Sequence, residues 1–202
     1  MLLYFAGSMI MYEPTEECVT DFFTDGILKR LPVSSTNPRF IMASSMLREE
    51  CIDNDICRKS LARDFARLFS PEGLKLALPY ESGYNGKDKD DEIHENVGEF
   101  YNSYGWKSLA RDKASDDHLG VELLFLTKLI DKFLLLDDEP CCCEMKKEIG
   151  RFIGNHILSW LPEWNSRMQD HAESVYYKGI GNLIYACSED LYAFFSDQGR
   201  LL

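Results

Sequence analysis

The stretch Asp116-Asp117-His118-Leu119-Gly120-Val121-Glu122-Leu123-Leu124-Phe125-Leu126-Thr127-Lys128-Leu129-Ile130 decides how this chain is read. Polar, turn-forming residues give way to an apolar run that continues to Leu136. Leu119, Leu123, Leu126, Ile130 and Phe133 recur at helical spacing, while Val121, Leu124, Phe125 and Leu129 fill the other faces. A helix apolar nearly all round belongs in the interior. His118 and Glu122, at i and i+4, share one face of its entrance. The stretch therefore predicts a buried central helix whose N-terminal end opens onto a polar pocket.

Outward from it, nearly every periodic segment has helical period and none alternates as a strand. Residues 1–12 read as a first core helix. No Lys or Arg precedes their apolar run, which argues against a signal peptide, and the run is too short to span a membrane. A second helix is predicted over Glu16–Leu31, carrying Val19, Phe22, Phe23 and Ile27. A third runs over Arg39–Cys51, with Asn37 as N-cap and Pro38 in the first turn. A fourth covers Asp55–Phe69, and a fifth, with Ile93, Val97, Phe100, Tyr101 and Tyr104, ends at Gly105. Beyond the central helix, a seventh carries Met145, Ile149, Phe152, Ile153, His156, Ile157 and Trp160 until Pro162 breaks it. A short segment, Glu163–His171, leads to a last long helix with Tyr176, Ile180, Leu183, Ile184, Cys187, Leu191 and Phe194 in register. The expectation is an all-α, single-domain bundle over residues 1–202, of about eight or nine helices.

The longest irregular stretch lies between the fourth and fifth helices. It holds Leu78-Pro79-Tyr80-Glu81-Ser82-Gly83-Tyr84 and then the charged run Lys87-Asp88-Lys89-Asp90-Asp91-Glu92. Long loops inside compact domains carry function or disorder. The aromatic-and-proline half reads as ordered, the charged half as a solvated turn.

Thirty-four acids face 22 bases, a net charge of −12. That balance argues against a nucleic-acid partner and favours a basic one. Seven cysteines, without the spacing of a disulfide scaffold, read as reduced thiols of a cytoplasmic protein. Three adjacent thiols, Cys141-Cys142-Cys143, face different directions on a helix and lack a Cys-x-x-Cys partner, so they do not define a metal site. No nucleophile elbow, P-loop or Gly-x-Gly-x-x-Gly is present. His118 suits a general base oriented by Asp117 or Glu122, or a residue bonded locally beside a helix capped by Asp116 or Asp117. His156, on an apolar stripe, reads as a satisfied core histidine, and His94 and His171 as surface residues. Trp160-Leu161-Pro162-Glu163-Trp164 reads either as a rigid apolar wall or as corner packing.

Taken together, these pieces resemble the TorD/DmsD-type redox-enzyme maturation chaperones of the TorD-like/NarJ superfamily. Ala62-Arg63-Asp64-Phe65-Ala66-Arg67-Leu68-Phe69 is similar to the family's helix before its loop. Leu78 to Tyr84 resembles its Pro-Tyr-Glu-Ser-x-Tyr loop, and Phe100-Tyr101 with Gly105 the following helix end. Asp117-His118-Leu119 through Glu122-Leu123 and Phe125-Leu126 is similar to its Asp-His-Leu and Glu-Leu-x-Phe pattern. His156 to Pro162 resembles its His-Leu-x-x-Trp-x-Pro segment, and Tyr176-Tyr177 its last helix. Where the family usually has Glu-Pro before the Asp-His pair, this chain has Ser115-Asp116.

The resemblance implies a cytoplasmic, all-helical chaperone without catalytic turnover or cofactor. It would bind the twin-arginine leader, or the catalytic subunit, of a molybdopterin-containing oxidoreductase and delay export until the cofactor is inserted. A basic leader with an apolar stretch needs carboxylates and an apolar groove. The expected peptide-binding residues are Pro79, Tyr80, Glu81, Ser82, Asp117, His118, Glu122, Trp160, Leu161 and Pro162. Glu81, Asp117 and Glu122 are the arginine partners, and Tyr80, Trp160, Leu161 and Pro162 the wall. His118 positions the loop, and the three stretches are expected to converge. The protein is expected to be a monomer or an exchange-type dimer. Two alternatives remain open: an assembly chaperone of the nitrate-reductase branch serving a non-exported enzyme, and a small metal- or nucleotide-binding enzyme using His118.

Overall fold

The computed structural model describes residues 2–21, 31, 33–48, 53–70, 73–84, 96–108 and 114–197. Every regular element among them is helical, and the all-α expectation holds. In chain order they are α1 (Leu2–Met11), α2 (Glu16–Val19), α3 (Pro38–Met46), α4 (Asn54–Phe69) and α5 (Val97–Ser103). After these come α6 (Leu119–Phe133), α7 (Glu139–Phe152), α8 (Leu161–His171) and α9 (Val175–Ser196). A 3-10 turn, Glu81–Gly83, precedes α5, and a π-helical stretch, Ile153–Leu158, extends α7.

Most helix starts are capped by short polar side chains that accept from the free N–H groups of the first turn. Asn37 accepts from Arg39 N–H, Asp53 from Asp55 and Ile56, and Asp138 from Cys141. Pro38 and Pro140 sit in the first turns of α3 and α7, where no intrahelical donor is lost. Pro162 likewise begins a helix rather than only breaking one. The expected short segment 163–171 is the three-turn α8, because Trp164 and Met168, four apart, face the core.

Helix α6 is buried as its pattern predicts: Leu119, Val121, Leu123, Phe125, Leu126 and Leu129 lie in the core. The apolar run outlasts the burial. The helix stops at Phe133, and Leu134 and Leu135 are 72% and 82% exposed. α1 packs along α6, α7 follows it on another side, and α9 gathers α1, α3, α7 and α8 around its length. The second predicted helix appears as α2 and a following π turn at Thr20–Asp21; Phe22, Phe23 and Ile27 lie outside the described residues, as do Cys51, the run 87–92, Ile93 and His94.

Two buried polar contacts fix the frame around the site. Asp64 of α4, 1% exposed, accepts from the main-chain N–H of Glu173 (3.1 Å) and Ser174 (2.9 Å), tying α4 to the α8–α9 junction. Trp164 of α8 donates its indole N–H to the Ala77 carbonyl at 3.0 Å, holding the chain just before Pro79. α1 and α6 also meet closely at Gly7 and Gly120. A Cβ on Gly120 would stand 2.9 Å from the Gly7 carbonyl oxygen and 2.8 Å from the Met11 methyl. Gly120→Ala is expected to destabilise the fold by about 1–3 kcal/mol, since backbone must move to admit the methyl. Urea unfolding measures it, and an unchanged midpoint would show that α1 yields freely.

One thiol departs from expectation. Cys57 is disulfide-bonded, whereas Cys141, Cys142, Cys143 and Cys187 are free.

Candidate functional site

The site is built where two irregular segments pair. Leu119 N–H donates to the Pro79 carbonyl at 2.8 Å, and Glu81 N–H donates to the Asp117 carbonyl at 2.9 Å. Tyr80 and His118 thus form an isolated antiparallel bridge, their rings edge-to-face at 5.0 Å. The bridge seats the loop 79–84 on the first turn of α6.

His118 is the N-cap of that helix. Its Nδ1 accepts from Gly120 N–H at 2.9 Å, so the cap expected of Asp116 or Asp117 is provided by the imidazole. An accepting Nδ1 places the proton of the neutral ring on Nε2. His118 is 5% exposed, and burial pushes its pKa down to about 4. A neutral ring also suits a helix N-terminus, whose dipole disfavours cations.

Asp117 is freed from capping and staples the loops instead. Its Oδ2 accepts from Ser82 Oγ at 2.6 Å and from Ser82 N–H at 3.3 Å, while Ser115 Oγ donates to Oδ1. These donors hold its carboxyl below the usual range even though burial opposes them. The role of Ser115-Asp116 is visible here. Ser115 closes the turn twice, through its carbonyl to His118 N–H (3.1 Å) and through its hydroxyl to Asp117. Tyr101 O–H donates to the Asp116 carbonyl at 3.0 Å. Side-chain and main-chain hydrogen bonds hold the turn that a proline would otherwise stiffen.

Behind the bridge lies an acid cluster. Glu81 points inward, and its Oε2 meets His156 Nδ1 at 3.3 Å. His156 is buried and its Nε2 has no partner, so it is a partly satisfied core histidine. Glu122 is fully buried, and neither of its carboxyl oxygens has a hydrogen-bond partner. Burial, then the charges of Glu81 and Asp117, raise its pKa well above the ordinary value. Burial therefore favours the protonated form of Glu122.

The third stretch joins from below. Trp160, 2% exposed, donates its indole N–H to the His156 carbonyl, and Leu161 is fully buried. Tyr84 stacks on Trp160 at 5.2 Å, and the Arg167 guanidinium lies 4.7 Å over the Tyr84 ring. Pro79 is buried, Tyr80 half-buried, and Ser82 and Pro162 are exposed. The three predicted stretches therefore lie together. The aromatic surface they offer solvent is Tyr80 and Tyr84, with Trp160 and Leu161 as its support. Tyr84, Tyr101, His156 and Arg167 escape a sequence reading of the site. Tyr84, Tyr101 and His156 fall within the motifs that carry the resemblance, without being singled out there as site residues.

Among the described residues, no group of three or more His, Cys, Asp and Glu is placed to hold a metal ion. Among the same residues, no helix is long and apolar enough to cross a membrane. The structure thus defines a class: an all-helical protein whose site is a hydrogen-bonded loop pair over a buried acid cluster. The chain belongs to the family described as nitrate reductase delta subunit, whose model matches residues 42–166. It is 30% identical over 136 residues to a protein named chaperone protein TorD from Vibrio parahaemolyticus, a match covering 66% of this chain and 63% of that one. It is 24% identical over 191 residues to a chaperone protein TorD of Photobacterium profundum, covering 92% and 88%. It is also 24% identical over 147 residues to a selenate reductase assembly chaperone protein of Thauera selenatis, covering 71% and 76%.

Proposed function

We propose that this protein is a cytoplasmic chaperone for the catalytic subunit of a molybdopterin oxidoreductase. It recognises the twin-arginine leader and delays export until the cofactor is in place. It performs no catalytic turnover and acts as a single helical domain. The observation that carries the reading is the gathering of Glu81, Asp117 and Glu122 at one loop pair, in a chain whose relatives are named reductase-assembly and TorD chaperones.

On this reading the roles are unequal. Asp117 already accepts at both oxygens, so it shapes the site, as His118 does by capping α6. Glu81 and Glu122 are the acids behind the loop, and a guanidinium reaches them by taking the place of His156 beside Glu81. Tyr80, Tyr84 and Pro162 meet the apolar part of the leader, with Trp160 and Leu161 behind them. Arginine suits such a site better than lysine because its planar fork pairs bidentately with carboxylates. The net charge of −12 speeds encounter with a basic segment.

Calorimetric titration with a synthetic twin-arginine leader and with its Lys-Lys variant tests this. Arg-Arg is expected to bind at least about tenfold tighter, the difference that roughly 1.4 kcal/mol makes. Equal affinity, or none for either peptide, would end the leader-recognition reading. The family description, nitrate reductase delta subunit, supports a second reading, assembly of a nitrate-reductase-type enzyme. Binding to the mature catalytic subunit without its leader, at undiminished affinity, would select that one.

A further inference from the structure

Glu122 is the least expected feature of the site. It sits in the first turn of α6, is wholly buried, and leaves both carboxyl oxygens without a hydrogen-bond partner. An ionised carboxylate there would be a buried, unpaired charge, among the most costly arrangements in a fold. The groups around it do not relieve that cost. The loops bring two further acids, Glu81 and Asp117, which act on Glu122 directly. α5 brings Tyr101, whose hydroxyl is engaged by the Asp116 carbonyl. The π stretch packed on α6 brings His156, which is turned to Glu81 through Nδ1. α1 sets Gly7 against Gly120, and its one ionisable residue, Tyr4, is exposed. The residues that α7 buries are Met145, Ile149, Gly150 and Phe152, none of them ionisable. Among these described residues, none is a lysine or an arginine.

Main-chain hydrogen bonds pair the loop 79–84 with this turn, beside the ring and side-chain contacts of Tyr80, Glu81 and Tyr84. Leu119 N–H to the Pro79 carbonyl and Glu81 N–H to the Asp117 carbonyl form the bridge, and the Ser82–Asp117 bonds reinforce it. We propose that Glu122 is a proton-operated latch: the loop 79–84 closes over the protonated carboxyl and opens when that carboxyl releases its proton to water. The only covalent bond broken is the carboxyl O–H, whose proton passes to solvent, and the hydrogen bonds of the bridge open with it. In the open loop the carboxylate is hydrated, which removes the burial cost and separates it from Glu81. A carboxyl that holds its proton more tightly when closed favours closure in acid and opening as pH rises above the ordinary carboxylate range. The open fraction then grows up to tenfold per pH unit until the closed form also ionises. The inference concerns the unliganded protein and stands whether or not a leader peptide binds there.

Amide hydrogen exchange by NMR, from pH 5 to pH 8, reads the latch at the Leu119 and Glu81 amides. After division by the intrinsic exchange rate, their opening constants are expected to rise severalfold per pH unit in the wild type and to stay flat in Glu122→Gln. The Ile180 and Leu183 amides of α9 report global opening, and their opening constants are expected to follow the pH dependence of urea-measured stability and to stay well below those at Leu119 and Glu81. A flat wild-type profile at Leu119 and Glu81, or the same slope in both proteins, overturns the proposal. So do opening constants at Leu119 and Glu81 equal to those of α9 at every pH, since the amides would then exchange only through global unfolding. Should Glu122→Gln not fold, carbon-13 carboxyl shifts of labelled glutamate in the wild type decide the matter. Glu122 must keep its proton to higher pH than the exposed glutamates, and titration alongside them overturns the latch.

Discussion

Trp164→Ala is expected to remove about 3–5 kcal/mol of stability, the range for truncating a fully buried large aromatic. Trp164 is completely buried in α8 and makes a directional contact as well as a packing one. Its indole N–H donates to the Ala77 carbonyl, and Ala77, also fully buried, has no water to take over that role. The substitution therefore leaves a cavity and an unsatisfied acceptor together. A typical domain has only about 5–15 kcal/mol in hand, so one such change threatens the fold at growth temperature. Ala77 lies two residues before Pro79, whose carbonyl takes Leu119 N–H, so the damage reaches the site. Trp164→Phe keeps most of the apolar area and loses the hydrogen bond, for an expected cost of about 1–2 kcal/mol. Urea unfolding of both variants separates the two contributions. Equal losses would mean that the hydrogen bond, not the cavity, dominates.

Acidification from pH 7 to pH 4 is expected to cost about 3 kcal/mol at His118 alone. Its pKa falls from 6.5 to about 4 on folding, and each unit is about 1.36 kcal/mol. The unfolded chain takes up the proton first. The stability held by neutral His118 is therefore complete above pH 6.5 and is lost as pH falls towards 4. The physical cause is the cap: a protonated Nδ1 cannot accept from Gly120 N–H, and the charge would be buried at a helix N-terminus. Glu122 has the opposite slope. Its raised pKa means that its contribution is complete below the ordinary 4.5 and is lost as pH rises. Between pH 4.5 and 6.5 the two slopes oppose each other in the wild type. Glu122→Gln is expected to steepen the acid loss. His118→Asn, which keeps a capping acceptor, is expected to flatten or invert it. Urea midpoints at pH 4.5, 5.5, 6.5 and 7.5 give the three slopes, and identical slopes for wild type and His118→Asn would remove His118 as the cause.

The leader-recognition reading gains its physical detail from these same residues. Asp117 and His118 hold two loops in register, while Glu81 and Glu122 keep acid groups inside. Ser115 shows how a departure from a motif is absorbed. Two hydrogen bonds from one serine close the turn that the family's proline would stiffen.

Local pattern alone determined the helices, because burial of an apolar stripe at 3.6-residue spacing is written into neighbouring residues. Leu119 to Leu129 shows this, as does the cap at Asn37. The order of motifs also pointed to the loop 79–84, the entrance of α6 and the Trp160 corner. Contacts across long separations were not legible. That Asp64 would cap the α8–α9 junction, that Trp164 would hold Ala77, and that His156 would meet Glu81 follow only from how α4, α8 and the π stretch pack. The same packing decided that Trp160 and Leu161 lie beneath Tyr84 rather than facing solvent. Above all, the i,i+4 spacing put His118 and Glu122 at the helix entrance but could not assign their charge. Tertiary burial disfavours the charge on both, on the histidine that caps Gly120 and on the glutamic acid whose carboxyl oxygens have no hydrogen-bond partner. Desolvation depends on everything packed around a group and not on its neighbours in the chain.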